Sequence, residues 1–520
     1  MASEKHRLGP MRAGKERPFV RRLATGTLAA GFTSFSSVFL GLILLPLQLM
    51  GLGTEAFGAW ALLQTLSAFR GWGALLDFGT GPATALLVAR RAAGGDTERA
   101  RSTTSSAIAT AFVLGLIGTA VLVLGQFANP GALFGMDEEL ARSFAQSLAI
   151  FGLALPFELA GRSAQFALEG TQRIATARFL EMFRRSAIQI TVAILAVATG
   201  DLRVVSIGFF ICAVIASGVT VGYAARVVGA SKPRSTDVAD LLREGRPLVA
   251  LRSVGTTHRM MDRTLVGLLL GPVGVTVVEV ATTIQNGAQA ILTSASHGVV
   301  PASAWLTERD DKDSQLSLLK LTTMLTILVT MPAVIGTSVL ADPLLTLWLG
   351  DNTPEGTAAV LPFAMAAAAI ASVVHVSSEY LVGTGRGGVV LKWAFYAVVV
   401  NLALTPVLLI SLGVVGAFIG TLIATPITAL PILRNALSDF VLPVREFATS
   451  VALRSLAPSL PATVAMIITT WIPQSSAAGT VLIALLVGGF VYVVAAAVMI
   501  DWKSIVVEMR STRPVETAAS

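Results

Sequence analysis

Apolar stretches of roughly 20 residues or more alternate with short polar segments along nearly the whole chain. Each stretch can cross a hydrocarbon layer of ~30 Å, because a helix rises about 1.5 Å per residue. The pattern predicts an all-α polytopic membrane protein with about fourteen transmembrane helices. We place these helices near residues 24–50, 57–76, 104–127, 143–168, 179–199, 204–225, 247–270, 275–299, 317–340, 358–382, 389–411, 414–434, 453–473 and 478–500.

Composition supports a membrane protein. Hydrophobic residues make up 54% of the chain and charged residues 13%, about half the charged share of a soluble globular domain. The net charge of +7 is spread over short loops and a tail. It therefore indicates membrane orientation and attraction to anionic lipid headgroups rather than a nucleic-acid partner. The single cysteine, Cys212, excludes an internal disulfide.

Basic residues are concentrated on one side of the predicted helices. Of the 38 lysines and arginines, only Arg142 and Arg203 fall in loops of the opposite side. Loops rich in lysine and arginine remain in the cytoplasm, so both termini are predicted to be cytoplasmic. We interpret residues 1–22 as a basic tail, because the apolar run that follows, up to Met50, is too long for a signal peptide.

Three short motifs occur twice at a nearly constant offset of 218 to 213 residues. The pairs are LGTEAFGAW (52–60) with LGPVG (270–274), LFG (133–135) with LWLG (347–350), and GTQR (170–173) with GTGR (383–386). Because six predicted helices separate the equivalents, both halves enter the membrane in the same direction. The sequence therefore predicts a parallel repeat whose two bundles enclose a central cleft.

The repeat divides the chain into two six-helix lobes, 23–226 and 247–436, which a cytoplasmic linker, 227–246, joins. Two additional helices, 437–502, and a second cytoplasmic tail, 503–520, follow them.

After helix two, Gly79, Gly81 and Pro82 predict a break, because proline lacks a backbone donor and glycine is flexible. A separate, partly amphipathic helix is expected to continue to Arg91.

Several segments resemble the polysaccharide-export family of oligosaccharidyl-lipid (Wzx-type O-antigen) flippases, in the multidrug/oligosaccharidyl-lipid/polysaccharide superfamily. They are LGTEAFGAWALLQTLSAF after helix one, LLDFGTG after helix two, GTQR, MMDRTLVGLLLG (260–271) and GVVGAFIGT (413–421). The resemblance implies a two-lobed alternating-access transporter of the bacterial inner membrane that moves undecaprenyl-diphosphate-linked glycans between leaflets. Other polysaccharide-assembly membrane proteins are possible partners. Asp262 and Arg263 match a family Asp-Arg pair, to which the family pattern assigns no role.

Charges inside the predicted helices indicate the cargo. Arg252, Arg259 and Arg263 form one stripe of helix seven, since their spacings are seven and four. Each arginine at mid-membrane costs about 2.5–3.5 kcal/mol on insertion scales, so the stripe must face protein or water. With Arg70 and Arg162, the arginines predict a cationic cleft for a diphosphate. The alternative is a set of interhelical ion pairs, and Arg162 could pair with Glu158.

A transporter that works uphill needs a coupling group, and protonatable residues inside the membrane are the usual ones. Any single candidate could instead be a satisfied buried polar residue. The candidates are Glu158, Asp262, Glu279, Glu379, His258 and His375.

Three other functions compete with the flippase. A drug/cation antiporter of the same superfamily would need a cleft lined by acids and aromatic residues. A membrane glycosyltransferase or polymerase would need acids on a sizeable outer loop, and the predicted outer loops are short. A non-transporting member of a glycan-assembly complex is the third. No metal, nucleotide or dinucleotide motif is present in a suitable context, so neither a cofactor nor a catalytic residue is predicted.

Overall fold

The computed structural model describes residues 16–502 except 70, 297 and 473–475, and describes side chains from residue 38 onward except those of 247, 250–252 and 291–295. These residues form helices and short connections, with no strand among them. Within the described part of the chain, twelve helical segments are long and apolar enough to span a membrane. The protein is therefore a multi-pass membrane protein of the all-α class, while the number of fourteen crossings stays a prediction.

Two sets of helices follow one another in the same order. The first set is α1 (Glu16–Gln64), α2 (Thr80–Ala93), α3 (Thr97–Gly125), α4 (Pro130–Leu133), α5 (Glu138–Gly170), α6 (Ile174–Thr199) and α7 (Leu202–Val227). The second set is α8 (Ser235–Ser296), α9 (Val299–Glu308), α10 (Lys312–Val339), α11 (Ala341–Leu349), α12 (Thr357–Gly383), α13 (Gly387–Leu412) and α14 (Val414–Leu437). Equivalent helices begin 211 to 219 residues apart, close to the offset of the sequence repeat. We call the two sets the first and second lobe.

Each lobe opens with a helical hairpin that turns at a glycine of the repeated motif. Gly53 has φ 77° and Gly271 has φ 75°, a backbone conformation that favours glycine. Arg263 and Glu279 lie equally far from Gly271 along the chain and are 2.7 Å apart, whereas one straight helix would separate them by about 24 Å. The helix 235–270 (α8a) therefore folds back against 272–296 (α8b), as 16–52 (α1a) does against 54–64 (α1b).

The second helix of the first lobe is interrupted earlier than the sequence predicted. Continuous helix over 57–76 is wrong, because α1b ends at Gln64 and the chain folds back so that the Trp72 amide donates to the Thr65 carbonyl over 2.6 Å. The predicted break at Gly79 is present, with φ 76°, and the separate helix that follows it is α2.

Residues 235–246, predicted as part of the linker, form the first turns of α8a. Leu241 lies fully buried in an apolar cluster with Ala83 and Leu87 of α2 and Ala107 of α3. Since this segment buries an apolar face against the first lobe, it is a docked helix rather than a free connection.

The additional C-terminal helices pack on the second lobe. They are α15 (Val444–Phe447), α16 (Leu453–Leu456), α17 (Ser459–Thr470) and α18 (Ala477–Met499). Met466 and Tyr492 share an apolar cluster with Ile327 and Met331 of α10, and the Tyr492 hydroxyl donates to the Leu328 carbonyl over 2.9 Å. The C-terminal helices α17 and α18 thus pack against α10 of the second lobe.

The lobes meet at the end that carries the two glycine turns, which we call the hairpin end. A Cβ on Gly58 would lie 1.9 Å from the Pro272 carbonyl oxygen, and the Thr276 hydroxyl donates to the Thr54 carbonyl over 2.6 Å. Thr54 is equivalent to Pro272 and Gly58 to Thr276 in the repeat. The contact therefore pairs equivalent positions reciprocally, as an isologous interface does.

Two aromatic residues at equivalent positions of the repeat also make reciprocal contacts between the lobes. Phe134 and Trp348 occupy matching places in the LFG and LWLG motifs. Phe134 lies against Gly267 and Gly271 of the second lobe, and the Trp348 indole N–H donates to the Leu42 carbonyl of the first lobe over 2.7 Å. Each lobe thus places one aromatic residue on the first hairpin of the other.

The lobes also meet at the opposite end, the linker end, through charged groups. Arg91 of α2 bridges Asp237 and Asp240 of α8a, at 2.7 Å from each. Arg90 forms a longer ion pair with Glu244, at 3.3 Å. The Asp237 side chain is 1% exposed, so this ionic contact is largely shielded from solvent.

Candidate functional site

A cavity of about 80 Å³ lies between the lobes and is lined by residues of α1a, α1b, α6 and α8b. Most of its polar lining consists of neutral amide and hydroxyl side chains, which can both donate and accept hydrogen bonds. The polar lining residues are Gln48, Gln64, Gln189, Glu279 and Thr283. A polar cavity between repeats is where transporters of duplicated architecture bind their cargo.

Arg263, one of the predicted cleft arginines, lies next to this cavity, because its ion-pair partner Glu279 lines it. Arg263 of α8a forms an ion pair with Glu279 of α8b at 2.7 Å and donates to the Thr282 hydroxyl over 3.3 Å. The side chains of Arg263 and Glu279 are 18% and 20% exposed, so neither is sealed inside the protein. Arg263 thus pairs with an acid of the same hairpin rather than with its neighbour Asp262.

The structure describes three other predicted cleft arginines to different extents. Arg259 is exposed one turn before Arg263 and donates to Thr256 over 3.3 Å, and His258 beside it is also exposed. Arg252 lies in α8a, but its side chain is outside the described set, and Arg70 lies outside the described residues altogether. The anion site therefore stays a prediction. Of the arginines of this stripe, the structure describes the side chains of Arg259 and Arg263.

Asp262 points into the second lobe. Its carboxylate accepts hydrogen bonds from Thr421 at 3.1 Å and from Asn401 at 3.4 Å, and Thr405 donates to the Asn401 side chain over 2.7 Å. These partners lie on α13 and α14, so Asp262 links three helices of one lobe. The adjacent residues Asp262 and Arg263 thus contact different neighbours: Asp262 contacts α13 and α14, and Arg263 contacts α8b.

Glu158 and Arg162 of α5 do not form the simple helical pair that their spacing suggested. Glu158 is 0% exposed, accepts from the Ala68 amide at 3.0 Å, and has Arg184 of α6 as its ion-pair partner at 3.7 Å. Arg162 donates to the Ala68 carbonyl. Glu158 and Arg162 therefore satisfy both backbone groups of Ala68 where the second helix is unwound, since such groups need partners inside a membrane.

Two further coupling candidates form a helical pair of their own. His375 and Glu379 lie one turn apart on α12, with 4.0 Å between the imidazole nitrogen and the carboxylate, and both are partly exposed. No contact joins this pair to Arg263 and Glu279 among the described residues. The six candidates therefore do not form a single charged centre: Glu158, Asp262 and Glu279 each have different partners, His258 is exposed, and His375 pairs with Glu379. No group of three His, Cys, Asp or Glu side chains suited to a metal occurs in the described part of the chain.

Sequence reasoning missed the glutamines that line the cavity. Gln48 and Gln189 stand inside stretches that are otherwise strongly apolar, and a polar residue at membrane depth is itself a signal of an internal surface. The sequence pointed to the arginines instead, because burying a charge costs more free energy than burying an amide.

Comparison with known families shows that residues 99–355 match the family described as Polysaccharide biosynthesis protein. Comparison with curated protein sequences gives no match. Among solved structures, the lipid II flippase MurJ in an inward closed conformation is similar at TM-score 0.74 and 16% identity, over 92% of this chain and 99% of that chain.

Two multidrug resistance MATE family transporters of the MOP superfamily are also similar in fold. The inward-facing one has TM-score 0.64 and 15% identity over 82% of this chain and 99% of its own. The outward-facing one has TM-score 0.55 and 15% identity over 80% of this chain and 96% of its own. Residues 99–355 thus match a polysaccharide biosynthesis family, and the fold of most of the chain is similar to that of the MurJ flippase and of the two MATE transporters.

Proposed function

We propose that the chain is an alternating-access flippase that moves a polyprenyl-diphosphate-linked oligosaccharide across the bacterial inner membrane during surface polysaccharide synthesis. Both termini lie in the cytoplasm, so the cargo enters from the linker end and leaves at the hairpin end. The family match and the flippase fold support transport of a glycan-bearing lipid. The protein has no catalytic role in this proposal.

The observation that carries the proposal is the Arg263–Glu279 ion pair beside a polar cavity between the lobes. A diphosphate presents the same kind of oxyanion as the Glu279 carboxylate, and arginine binds such groups with two parallel hydrogen bonds. Because the pair is partly exposed, an entering diphosphate can take the place of Glu279 on Arg263. Arg259, exposed one turn away, adds a second cation for the same group.

A cationic drug is a poorer fit to this site. Its recognition would need carboxylates free to face the cargo, as well as aromatic faces. In the described part of the chain, Glu158 and Glu279 are engaged by arginines, and Asp262 by hydroxyl and amide donors. An anionic cargo therefore suits the site better than the cation antiporter alternative.

Asp262 is our candidate coupling residue. The hydrogen bonds that it accepts from Asn401 and Thr421 come from neutral groups, and it ties α8a to two other helices of the second lobe. A proton or cation that binds there changes the charge at that junction, which can bias how the lobe is arranged. Glu158, in contrast, is committed to the unwound segment through Ala68.

Deletion of the gene in its source bacterium tests the function. The proposal predicts that the lipid-linked glycan accumulates in the cytoplasmic leaflet and becomes inaccessible to a membrane-impermeant glycan label in spheroplasts. The wild-type gene restores labelling, and Arg142→Ala, at an exposed pair remote from the cleft, restores it equally. Arg263→Ala is expected to restore less than about a tenth, the loss that one charged hydrogen bond corresponds to.

Unchanged labelling in the deletion strain contradicts the flippase function. Full labelling with inserted Arg263→Ala contradicts the diphosphate site while leaving transport itself intact. If labelling is lost only when a separate glycan-assembly protein also disappears from the membrane, the non-transporting alternative is correct.

A further inference from the structure

We propose that the cavity lined by Gln48, Gln64, Gln189 and Trp60 is a sugar-recognition subsite, which binds hydroxyl or acetamido groups of the first sugar of the cargo. This inference rests on the proposed function and specifies which part of the lipid-linked glycan the protein reads. It separates recognition of the sugar, by neutral groups of the first lobe, from recognition of the diphosphate, by arginines of the second.

The lining of the cavity has the chemistry of polyol recognition. Amide side chains offer a donor and an acceptor side by side, which matches a sugar hydroxyl in either role. Trp60 also belongs to the lining and carries an indole N–H. A hydrocarbon tail could use none of these polar atoms, and a phosphate would favour cations over them.

Two residues of the cavity lining each carry a buried polar atom that lacks the hydrogen bond such atoms normally make. The side-chain oxygen of Gln189 and the indole nitrogen of Trp60 are both shielded, and neither has a hydrogen-bond partner among the described residues. Trp60 is only 1% exposed. Buried polar atoms without partners are unusual and call for an explanation. Because both atoms belong to residues that line the cavity, a ligand bound there is one source of the missing donor and acceptor.

The position of the cavity relative to the arginines agrees with the covalent structure of the cargo. Glu279 both lines the cavity and pairs with Arg263. The proposed diphosphate site therefore adjoins the cavity, as the first sugar adjoins the diphosphate in a polyprenyl-diphosphate glycan. A space of about 80 Å³ holds a few water molecules, so it admits one edge of a sugar and leaves the rest of the glycan in the cleft.

Because the two lobes recognise different parts of the cargo, the protein is selective for the first sugar. Because the groups that contact the sugar lie on α1 and α6 and the groups that contact the diphosphate lie on α8, a cargo of the right sugar bridges the two lobes. A bare lipid diphosphate contacts mainly the second lobe. The sugar subsite therefore adds affinity on top of the charge interaction.

The test compares purified full-length protein with undecaprenyl diphosphate alone and with undecaprenyl diphosphate carrying N-acetylglucosamine, N-acetylgalactosamine, glucose or galactose. The wild type is expected to bind at least one sugar-bearing lipid about tenfold more tightly than the bare lipid, as one or two hydrogen bonds would give. Gln189→Leu, which keeps the side-chain volume, removes that preference and leaves the affinity for the bare lipid unchanged. Gln64→Leu, at an exposed position of the cavity lining, reduces it without a risk to folding.

Gln146→Leu is the matched control, because Gln146 is exposed and lies outside the cavity lining. The inference is overturned if no sugar-bearing lipid binds more tightly than the bare one, or if Gln189→Leu and Gln64→Leu keep the wild-type preference. If the bare lipid and the sugar-bearing lipids all fail to bind, the proposed function fails, and the inference with it. Binding of the bare lipid with no sugar preference overturns the inference alone.

Discussion

The lobes meet at both ends of the molecule, but the two contacts are built differently. At the hairpin end, Gly58 packs on Pro272 and Thr276 bonds to Thr54, so equivalent pieces of the repeat face each other without charges. At the linker end, Arg91 joins Asp237 and Asp240, and the contacting pieces are not equivalent in the repeat.

The two contacts are therefore sensitive to different kinds of substitution. A contact made by small residues and backbone atoms fails when a side chain gains volume, because the interior has no room for it. A buried ionic contact fails when one partner is removed, because the other charge is left without compensation. The linker end should therefore be the more sensitive to deletion of a side chain, and the hairpin end to its enlargement.

The largest effect is expected for Arg91→Ala at the linker end. Its loss leaves Asp237 buried without its cation, which should lower the free energy of unfolding by about 3–5 kcal/mol. Thermal unfolding in detergent measures this. Arg90→Ala is the matched control on the same helix, because the Arg90 side chain is 59% exposed and such a pair contributes only about 0.2–1 kcal/mol. Equal losses in both variants would contradict a buried ionic contact.

A smaller effect is expected for Gly58→Ala at the hairpin end. The added methyl group would overlap the Pro272 carbonyl and should cost about 1–3 kcal/mol. It should also slow disulfide formation between cysteines placed at Thr54 and Thr276 in a Cys212→Ser background. Gly218→Ala, where no atom lies within 4 Å of the new methyl group, should instead stabilise α7 by about 0.5–1 kcal/mol. A neutral Gly58→Ala would show that the hairpin end is loosely packed.

Trp348→Phe should lower the free energy of unfolding by about 0.5–1.5 kcal/mol, the contribution of one hydrogen bond. It keeps most of the aromatic surface and removes only the bond to Leu42. Trp471→Phe, at a residue that is 80% exposed, supplies the control for thermal unfolding. If the two variants unfold at the same temperature as the wild type, this bond does not help to hold the lobes together.

The smallest effect is expected for Arg142→Ala. This arginine forms an exposed helical pair with Glu138, and pairs of this kind are worth about 0.3–0.5 kcal/mol. Raising the salt concentration should abolish the difference from wild type, whereas the effect of Arg91→Ala should persist, because buried pairs are screened less. A large, salt-independent effect at Arg142 would mean that charge matters to stability regardless of burial.

The sequence was sufficient for the parts of the fold that depend on local pattern. Apolar stretches predicted an all-α membrane protein, and the repeated motifs at Gly53 and Gly271 correspond to identical hairpin turns. The unwound segment after Gln64 could not be predicted, because it is held by Glu158 and Arg162 from a distant helix. Burial of Leu241 likewise depends on tertiary contact, so residues 235–246 looked like a polar linker.

For the candidate site, the sequence indicated which charged residues lie inside the membrane, but not which of them form ion pairs with each other. Arginines inside the predicted seventh span, which is part of α8a, indicated that this helix faces protein or water, because lipid does not tolerate them. Spacing alone suggested Asp262 or another acid for Arg263 and suggested Arg162 for Glu158, whereas the structure joins Arg263 to Glu279 and Glu158 to Arg184. Both observed pairs link different helices, and such partners cannot be read from spacing within one helix.

Alternating access can be tested by measuring the distance between the lobes at each end of the molecule. In a Cys212→Ser background, spin labels at Thr97 and Asp313 report the linker end, and labels at Glu139 and Glu355 report the hairpin end, since all four positions are exposed. Double electron–electron resonance with and without undecaprenyl-diphosphate-linked sugar should show the two distances changing in opposite directions. Distances that stay fixed, or that lengthen together at both ends, would contradict alternating access.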